Sequence, residues 1–488
     1  MGLKSQSIKG FVWTTVEKFG NRVLSIFIFF LLAKLLGPKA MGEVIVINSI
    51  IAFVVIFIDQ GLTTAIVQKD KVDETYLDTA FWGNMGISLI FGLGIFLMSP
   101  YVAKFYEAPA LANYLRVISF SFLIGAVSRV QNALFIKEMK FKLLAVRRLI
   151  STFVGGAVGI TMAFMDYGAW SLIWYQLSMM LVMTIILMIQ SSWRPGLRFS
   201  WEHYIELLKF GVNVLGNNLL FYAQNHLVNL IIGKYLGMVE AGYYGVASKV
   251  YVSLKDMIIN TFSKINLPIF AQLQNDKERR VQVFQQLTNK VLFFIFPVSV
   301  ILAVLAPDLI HVFINKEEWI GSIPLLGWML LACAFTVIPS FANDFLLGVG
   351  KASTSFRLNL TSTIIYLISL IIGIQFGLIG LAMAVTFNNI IAVPVALFFL
   401  GGVMEVQWKK LILIHGKVLL ASALIAGTLY AFNYLYEGYN YLLLSLKTIL
   451  AGASFLASLY LFYPELIEEI KPHIQRLLLK RNHVVTKS

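Results

Sequence analysis

Five residues near the start of the chain, Thr14, Lys18, Asn21, Arg22 and Ser25, fall at spacings i, i+4, i+7, i+8 and i+11. That spacing puts them on one face of a helix. The stretch around them is otherwise apolar. Arg22 lies thirteen residues beyond Lys9, about 20 Å along a helix at ~1.5 Å per residue. If the stretch crosses a bilayer, Arg22 is near the midplane. A cation there is costly against lipid, so it must face a water-filled cavity or a partner. In a cavity it would hold an anion, above all a phosphate or pyrophosphate. The alternative is an arginine neutralised by a carboxylate for packing alone.

Two hundred residues later a second polar face recurs. Asn218, Tyr222 and Asn225, with Asn229 one turn on, share one side of the seventh apolar stretch. Asn218 and Tyr222 align with Lys18 and Arg22. Either both faces line one cavity, basic on one wall and amide-rich on the other, or the asparagines hydrogen-bond between helices. His226 is adjacent on another face and reads as a packed histidine. Lys249 lies about ten residues into the eighth stretch, again near mid-depth, and Arg129 nearer the inner face. The substrate-binding candidates are therefore Lys18, Arg22, Arg129, Asn218, Tyr222, Asn225 and Lys249. Two carboxylates, Asp59 at the depth of Lys18 and Asp344 in the tenth stretch, either couple transport to H⁺ or Na⁺ or neutralise the basic residues. Cations outnumber acids here, which suits an anionic substrate and not a cationic drug.

These residues need membrane helices to position them. The 488 residues are 58% hydrophobic and 13% charged, against ~45–50% and ~25% in soluble domains. A soluble enzyme, a secreted disulfide scaffold and a disordered tail are excluded, and the lone Cys333 forms no internal disulfide. A span needs ~20 apolar residues. Fourteen such stretches occur, from about 10–35 to 442–463, the eighth (239–263) and tenth (322–347) being broken by polar residues. The first is too long for a cleavable signal peptide and no small-residue cleavage site follows it.

With the N-terminus inside, twenty-seven Lys and Arg fall on cytoplasmic segments and seven on outer ends. The positive-inside rule then places both termini in the cytoplasm. The net charge of +14 is a topology signal, and no nucleic-acid partner is expected. The loops leave no room for a catalytic domain. GVGKAS at 348–353 lacks the leading glycine of a phosphate loop, Phe345 standing in its place. There is no HExxH, no metal-spaced Cys/His cluster and no Asp-x-Asp pair. A non-enzyme without metal or cofactor is expected. Beyond Pro464, Leu466, Ile467, Ile470, Ile474, Leu477 and Leu478 form an apolar stripe, read either as a helix on the inner membrane surface or as a solvated tail.

The repeat extends past the polar faces. Lys34, Leu36, Gly37 and Gly42 recur as Lys234, Leu236, Gly237 and Gly242, and Lys9, Val12 and Val46 as Lys209, Val212 and Val246. The expected fold is all-α and polytopic: two parallel six-helix repeats around a central cavity, plus a C-terminal hairpin. The expected divisions are an N-lobe at 1–190, a linker at 191–207, a C-lobe at 208–402, the hairpin at 403–463 and an amphipathic tail at 464–488.

The stretches DQGLTTAIVQK at 59–69, FWGNMG at 81–86, RPGLRFS at 194–200 and LPIFAQLQND at 267–276 resemble the polysaccharide transporter family. This family comprises Wzx-type flippases of the multidrug/oligosaccharidyl-lipid/polysaccharide superfamily, and the likeness is to the colanic-acid and teichuronic-acid branch. The resemblance implies two six-helix bundles around a V-shaped cavity in the bacterial inner membrane. It implies translocation of an undecaprenyl-pyrophosphate-linked oligosaccharide, with cavity cations corresponding in kind to Lys18 and Arg22. A polysaccharide polymerase and a chain-length regulator are partners implied by family analogy. The competing expectations are a cation-coupled multidrug exporter of the same superfamily and a non-transporting scaffold for glycan assembly.

Overall fold

The computed structural model describes residues 3–462 except Gln60, Lys71, Asn275, residues 405–407 and Glu437. Along its helices the side chains of residues 3–12, 14–19, Asp59, 210–214, Asn217, Ile258, 260–261 and 408–415 are also outside the description. The expected amphipathic tail lies outside the described residues.

Every described regular element is a helix, as expected of a chain whose backbone groups must be satisfied internally in lipid. Ten helical stretches among the described residues are long and apolar enough to cross a membrane. Two of them, Gly20–Gln68 with 49 residues and Ala352–Gly401 with 50, are each long enough for two crossings at ~1.5 Å per residue. The expected seventh and eighth spans fall on helices outside these ten, because polar residues interrupt them.

The chain forms two compact units, 1–246 and 247–488. The first holds α1 (Leu3–Asp59), α2 (Leu62–Gln68), α3 (Glu74–Phe105), α4 (Ala110–Lys137), α5 (Phe141–Phe164), α6 (Trp170–Gln190), α7 (Trp201–Asn225), α8 (Leu227–Tyr235) and the start of α9 (Met238–Gln272). Within it α3 packs on α4, α5 on α6 and α1, and α1 also meets α7 and α8. The second unit holds the rest of α9, then α10 (Lys277–Val304), α11 (Ala306–Leu309), α12 (Ile323–Ala332), α13 (Val337–Gly348), α14 (Ala352–Gly373), α15 (Gly377–Gly401), α16 (Trp408–Leu435) and α17 (Tyr441–Phe462). There α14 packs on α15, α12 on α15 and α10, and the α16–α17 hairpin rests on α10.

Glycine and short polar residues punctuate the helices. Gly37 breaks α1 at φ 74° ahead of Pro38, and Gly237, 200 positions on, separates α8 from α9 at φ 115°. Positive φ of this kind suits a residue without Cβ. Asp73 caps α3 by accepting from the Tyr76 amide at 3.3 Å, and Asp276 caps α10 by accepting from Arg279 at 3.0 Å.

Candidate functional site

The polar face of α1 is divided between packing and charge. Asn21 Oδ1 accepts a hydrogen bond from Thr152 Oγ1 of α5 at 2.6 Å, and Ser25 shares one with Tyr175 of α6. Arg22, between them, is half-buried. The side chain of Lys18 lies outside the described residues.

The α7 face turns onto the second half of α1. The Tyr222 hydroxyl donates to the Ser49 carbonyl at 3.1 Å, and Asn229 Nδ2 donates to Ser49 Oγ at 3.0 Å. Ser49 in turn donates to the Ile45 carbonyl at 2.9 Å. Tyr222 is buried, stacked on His226 at 5.4 Å and tilted against Phe53 at 5.3 Å. Asn225 Nδ2 donates to the Phe221 carbonyl of its own helix at 2.8 Å, and Asn218 is half-buried on α7. Arg129 is half-buried on α4. Arg22, Arg129, Asn218, Tyr222 and Asn225 thus belong to the first unit, whereas Lys249, exposed on α9, belongs to the second.

Of the two carboxylates, Asp59 ends α1 and its side chain lies outside the description. Asp344 is buried on α13. It accepts from Asn266 Nδ2 of α9 at 3.5 Å and shares a hydrogen bond with Ser263. Asn266 is itself fully buried, and its Oδ1 has no hydrogen-bond partner. The carboxylate, an amide oxygen and a hydroxyl are oxygen donors of the kind a proton or an alkali cation would take. Among the described residues no group of three or more His, Cys, Asp or Glu is placed to hold a metal.

A denser polar site joins α2, α3 and the segment between α6 and α7. Asp78, buried one turn into α3, accepts from the Gly196 amide at 2.9 Å. Thr79 Oγ1 accepts from the Ser200 amide at 3.0 Å, and Trp82 Nε1 donates to the Gly196 carbonyl at 2.7 Å. Arg198 pairs with Glu74 at 2.8 Å and approaches Asp78 at 3.9 Å. Gly196 is needed here: a Cβ on it would lie 2.6 Å from Asp78 Oδ2. Lys69 pairs with Glu206 at 2.8 Å and sits 3.9 Å over the Tyr76 ring. Lys137 Nζ donates to the carbonyls of Ile66 and Lys69, where the last turn of α2 leaves acceptors unpaired. One turn further along α3, Asn84 Nδ2 donates to the Ile58 carbonyl at 2.9 Å, beside the break between α1 and α2.

The family follows from the chain as a whole. A profile of polysaccharide biosynthesis proteins matches residues 31–324, more than half of the chain. The chain belongs to this family. The match takes in the polar site around Asp78 and stops short of Asp344; Arg22 precedes it.

Two curated relatives are named for succinoglycan and lipopolysaccharide biosynthesis. The succinoglycan biosynthesis transport protein ExoT of Rhizobium meliloti is 26% identical over 344 residues, covering 70% of this chain and 69% of its own. The lipopolysaccharide biosynthesis protein WzxC of Escherichia coli is 24% identical over 397 residues, covering 80% of each. Among solved structures, the lipid II flippase MurJ in an inward closed conformation superposes at a TM-score of 0.77 with 18% identity, covering 93% of this chain and 99% of its own. An inward-facing multidrug resistance transporter of the MATE family superposes at 0.62 with 16% identity, covering 78% of this chain and 93% of its own. The fold of this polysaccharide biosynthesis protein is therefore of the MurJ and MATE kind, and the protein is a multi-pass membrane protein.

Three of the four sequence motifs that carried the family resemblance converge on one place: Ile66 and Lys69 from the first, Trp82 and Asn84 from the second, and Gly196, Arg198 and Ser200 from the third. Asp78 is not among the sequence candidates, and Lys137 enters there only as one of the cytoplasmic cations. The available signals were an acid inside an apolar stretch and the Pro195–Gly196 pair, a turn marker. Lys447 is one of the seven cations that the charge count assigns to the outer ends. Lys447 is 2% exposed and paired with Asp308, 1% exposed, at 2.6 Å.

Proposed function

We propose that this protein is a flippase for a lipid-linked oligosaccharide, a repeat unit on undecaprenyl pyrophosphate, in the bacterial inner membrane. The observation that carries the reading is membership of the polysaccharide biosynthesis family together with the MurJ-like fold over 93% of the chain. One relative is named a succinoglycan transport protein and one neighbour of the same fold a lipid II flippase, and a lipid-linked oligosaccharide is the cargo that joins the two. Both termini are placed in the cytoplasm by the distribution of Lys and Arg.

The mechanism assigned is alternating access of the N-lobe and C-lobe. Arg22, with Lys18, Arg129 and Lys249, holds the pyrophosphate, whose charge a guanidinium binds bidentately. Asn218, Tyr222 and Asn225 contribute polar contacts to sugars while the lipid tail stays in the bilayer. Asp344, with Asn266 and Ser263, and Asp59 are the candidate H⁺ or Na⁺ coupling groups. A polysaccharide polymerase and a chain-length regulator would receive the product. No bond is made or broken in this scheme, so the protein acts as a transporter and not as an enzyme.

The test is mass spectrometry of lipids extracted after depletion of the protein in its native cell. Accumulation of one undecaprenyl-pyrophosphate oligosaccharide supports the reading and supplies the cargo mass. The MATE-like superposition and the buried Asp344 favour one second reading, a cation-coupled multidrug exporter. An unchanged lipid pool with a gain of drug sensitivity would select it.

A further inference from the structure

Residues 191–200 run without regular structure from the end of α6 to the N-cap of α7. The backbone of Gly196 and Ser200 and the side chain of Arg198 tie the segment to α3, through Asp78, Trp82, Thr79 and Glu74. The intervening Leu197, Phe199 and Trp201 are 91%, 43% and 69% exposed. Leu197 and Trp201 leave most of their surface uncovered by the rest of the chain. Phe199 and Trp201 pack edge to face at 5.4 Å, and Tyr204 closes the cluster at 5.7 and 5.8 Å from them. The result is a strap fastened to the protein by polar contacts, with its apolar side chains left bare.

The depth of the strap identifies what covers these side chains. α6 has 21 residues, about 31 Å at ~1.5 Å per residue, which just crosses a ~30 Å hydrocarbon layer. The strap begins at the next residue and so lies in the headgroup layer, where tryptophan and tyrosine concentrate. Ile185 and Ile189 in the last turns of α6, just before the strap, are also exposed, as residues that face lipid are. Arg194 is exposed within the strap itself, as a layer of anionic headgroups favours.

We propose that Leu197, Phe199 and Trp201 dock into the headgroup–acyl boundary of the bilayer. The strap is then an anchor that fixes the connection from α6 to α7 at one depth, held to α3 by its polar contacts and to lipid by its apolar side chains.

The experiment uses the full chain in liposomes containing anionic lipid. Leu197→Cys and, for contrast, Glu202→Cys are each labelled with bimane. Cys333 is buried, and the parent chain controls for any label it takes. Fluorescence is quenched either by a lipid carrying a nitroxide near its headgroup or by aqueous iodide. The expected result is several-fold stronger lipid-borne quenching at position 197 than at 202, with the order reversed for iodide. Equal access of iodide to both positions overturns the proposal. So does a label at 197 that neither quencher reaches, since it would then be covered by a second copy or another protein. Phe199→Cys repeats the reading at a second position should Leu197→Cys fail to accumulate.

Discussion

Gly42 and Gly242 face each other across a reciprocal contact. A Cβ on Gly42 would overlap the Met238 carbonyl oxygen, and a Cβ on Gly242 would overlap the Pro38 carbonyl oxygen. Each residue of the pair, and each carbonyl it meets, stands 200 positions from its counterpart. The backbones of α1 and α9 touch here because neither glycine carries a side chain, the small-residue logic of helix crossings in membranes. Gly42→Ala or Gly242→Ala must push the two helices apart. Each is expected to destabilise the protein by about 1–3 kcal/mol, as overpacking does. Thermal unfolding in detergent measures it. Gly86→Ala, with nothing within 4 Å of its would-be Cβ, is the control and should be neutral or slightly stabilising.

Asp78 and Arg198 are predicted to differ sharply. Asp78→Ala leaves the Gly196 amide without its acceptor, a loss of about 1–3 kcal/mol. The close pair of Arg198 with Glu74 is exposed, side chains 58% and 68% accessible, and such pairs contribute ~0–1 kcal/mol; its approach to the buried Asp78 is long, at 3.9 Å. Limited proteolysis after residue 191 should accelerate in Asp78→Ala and change little in Arg198→Ala. Equal effects would show that charge, not the backbone hydrogen bond, fastens the strap.

The Asp308–Lys447 pair ties α17 to α11, with Tyr439 under the ammonium at 5.6 Å and His311 stacked on Tyr439 at 4.1 Å. Removing one partner strands a buried charge and costs about 3–5 kcal/mol, whereas replacing both by apolar residues is often close to neutral. Lys447→Met should therefore unfold at a markedly lower temperature, and Asp308→Leu combined with Lys447→Met should recover most of the loss.

Arg22→Ala should accumulate normally, keep its thermal midpoint within a few degrees and yet lose translocation of the lipid-linked cargo. A lipid extract from cells carrying only this variant should resemble that of depleted cells. Full activity would remove the phosphate-holding role from Arg22.

Asp344→Asn preserves size and an acceptor for Asn266 and Ser263 but removes the titratable oxygen. If Asp344 couples an ion gradient, transport by this variant becomes insensitive to collapse of that gradient, with stability nearly unchanged. Wild-type gradient dependence in Asp344→Asn would assign coupling elsewhere.

The helical membrane class, the short loops and the turn glycines were legible in the sequence. Apolar run length, charge asymmetry and the recurrence of Gly37 as Gly237 are properties of neighbouring residues, and each element inherits them directly. The polar faces of the first and seventh spans were legible too, but not their partners. That Tyr222 and Asn229 would meet Ser49, and Asn21 meet Thr152, depends on which helices pack together. The tertiary structure decided the rest, because the bonds concerned close between residues more than a hundred positions apart. Asp78 is held by a backbone amide, which has no side chain to announce it. Lys447 counts as a surface cation until α11 brings Asp308 against it. Leu197, Phe199 and Trp201 read as ordinary apolar loop residues until the folded chain leaves them uncovered.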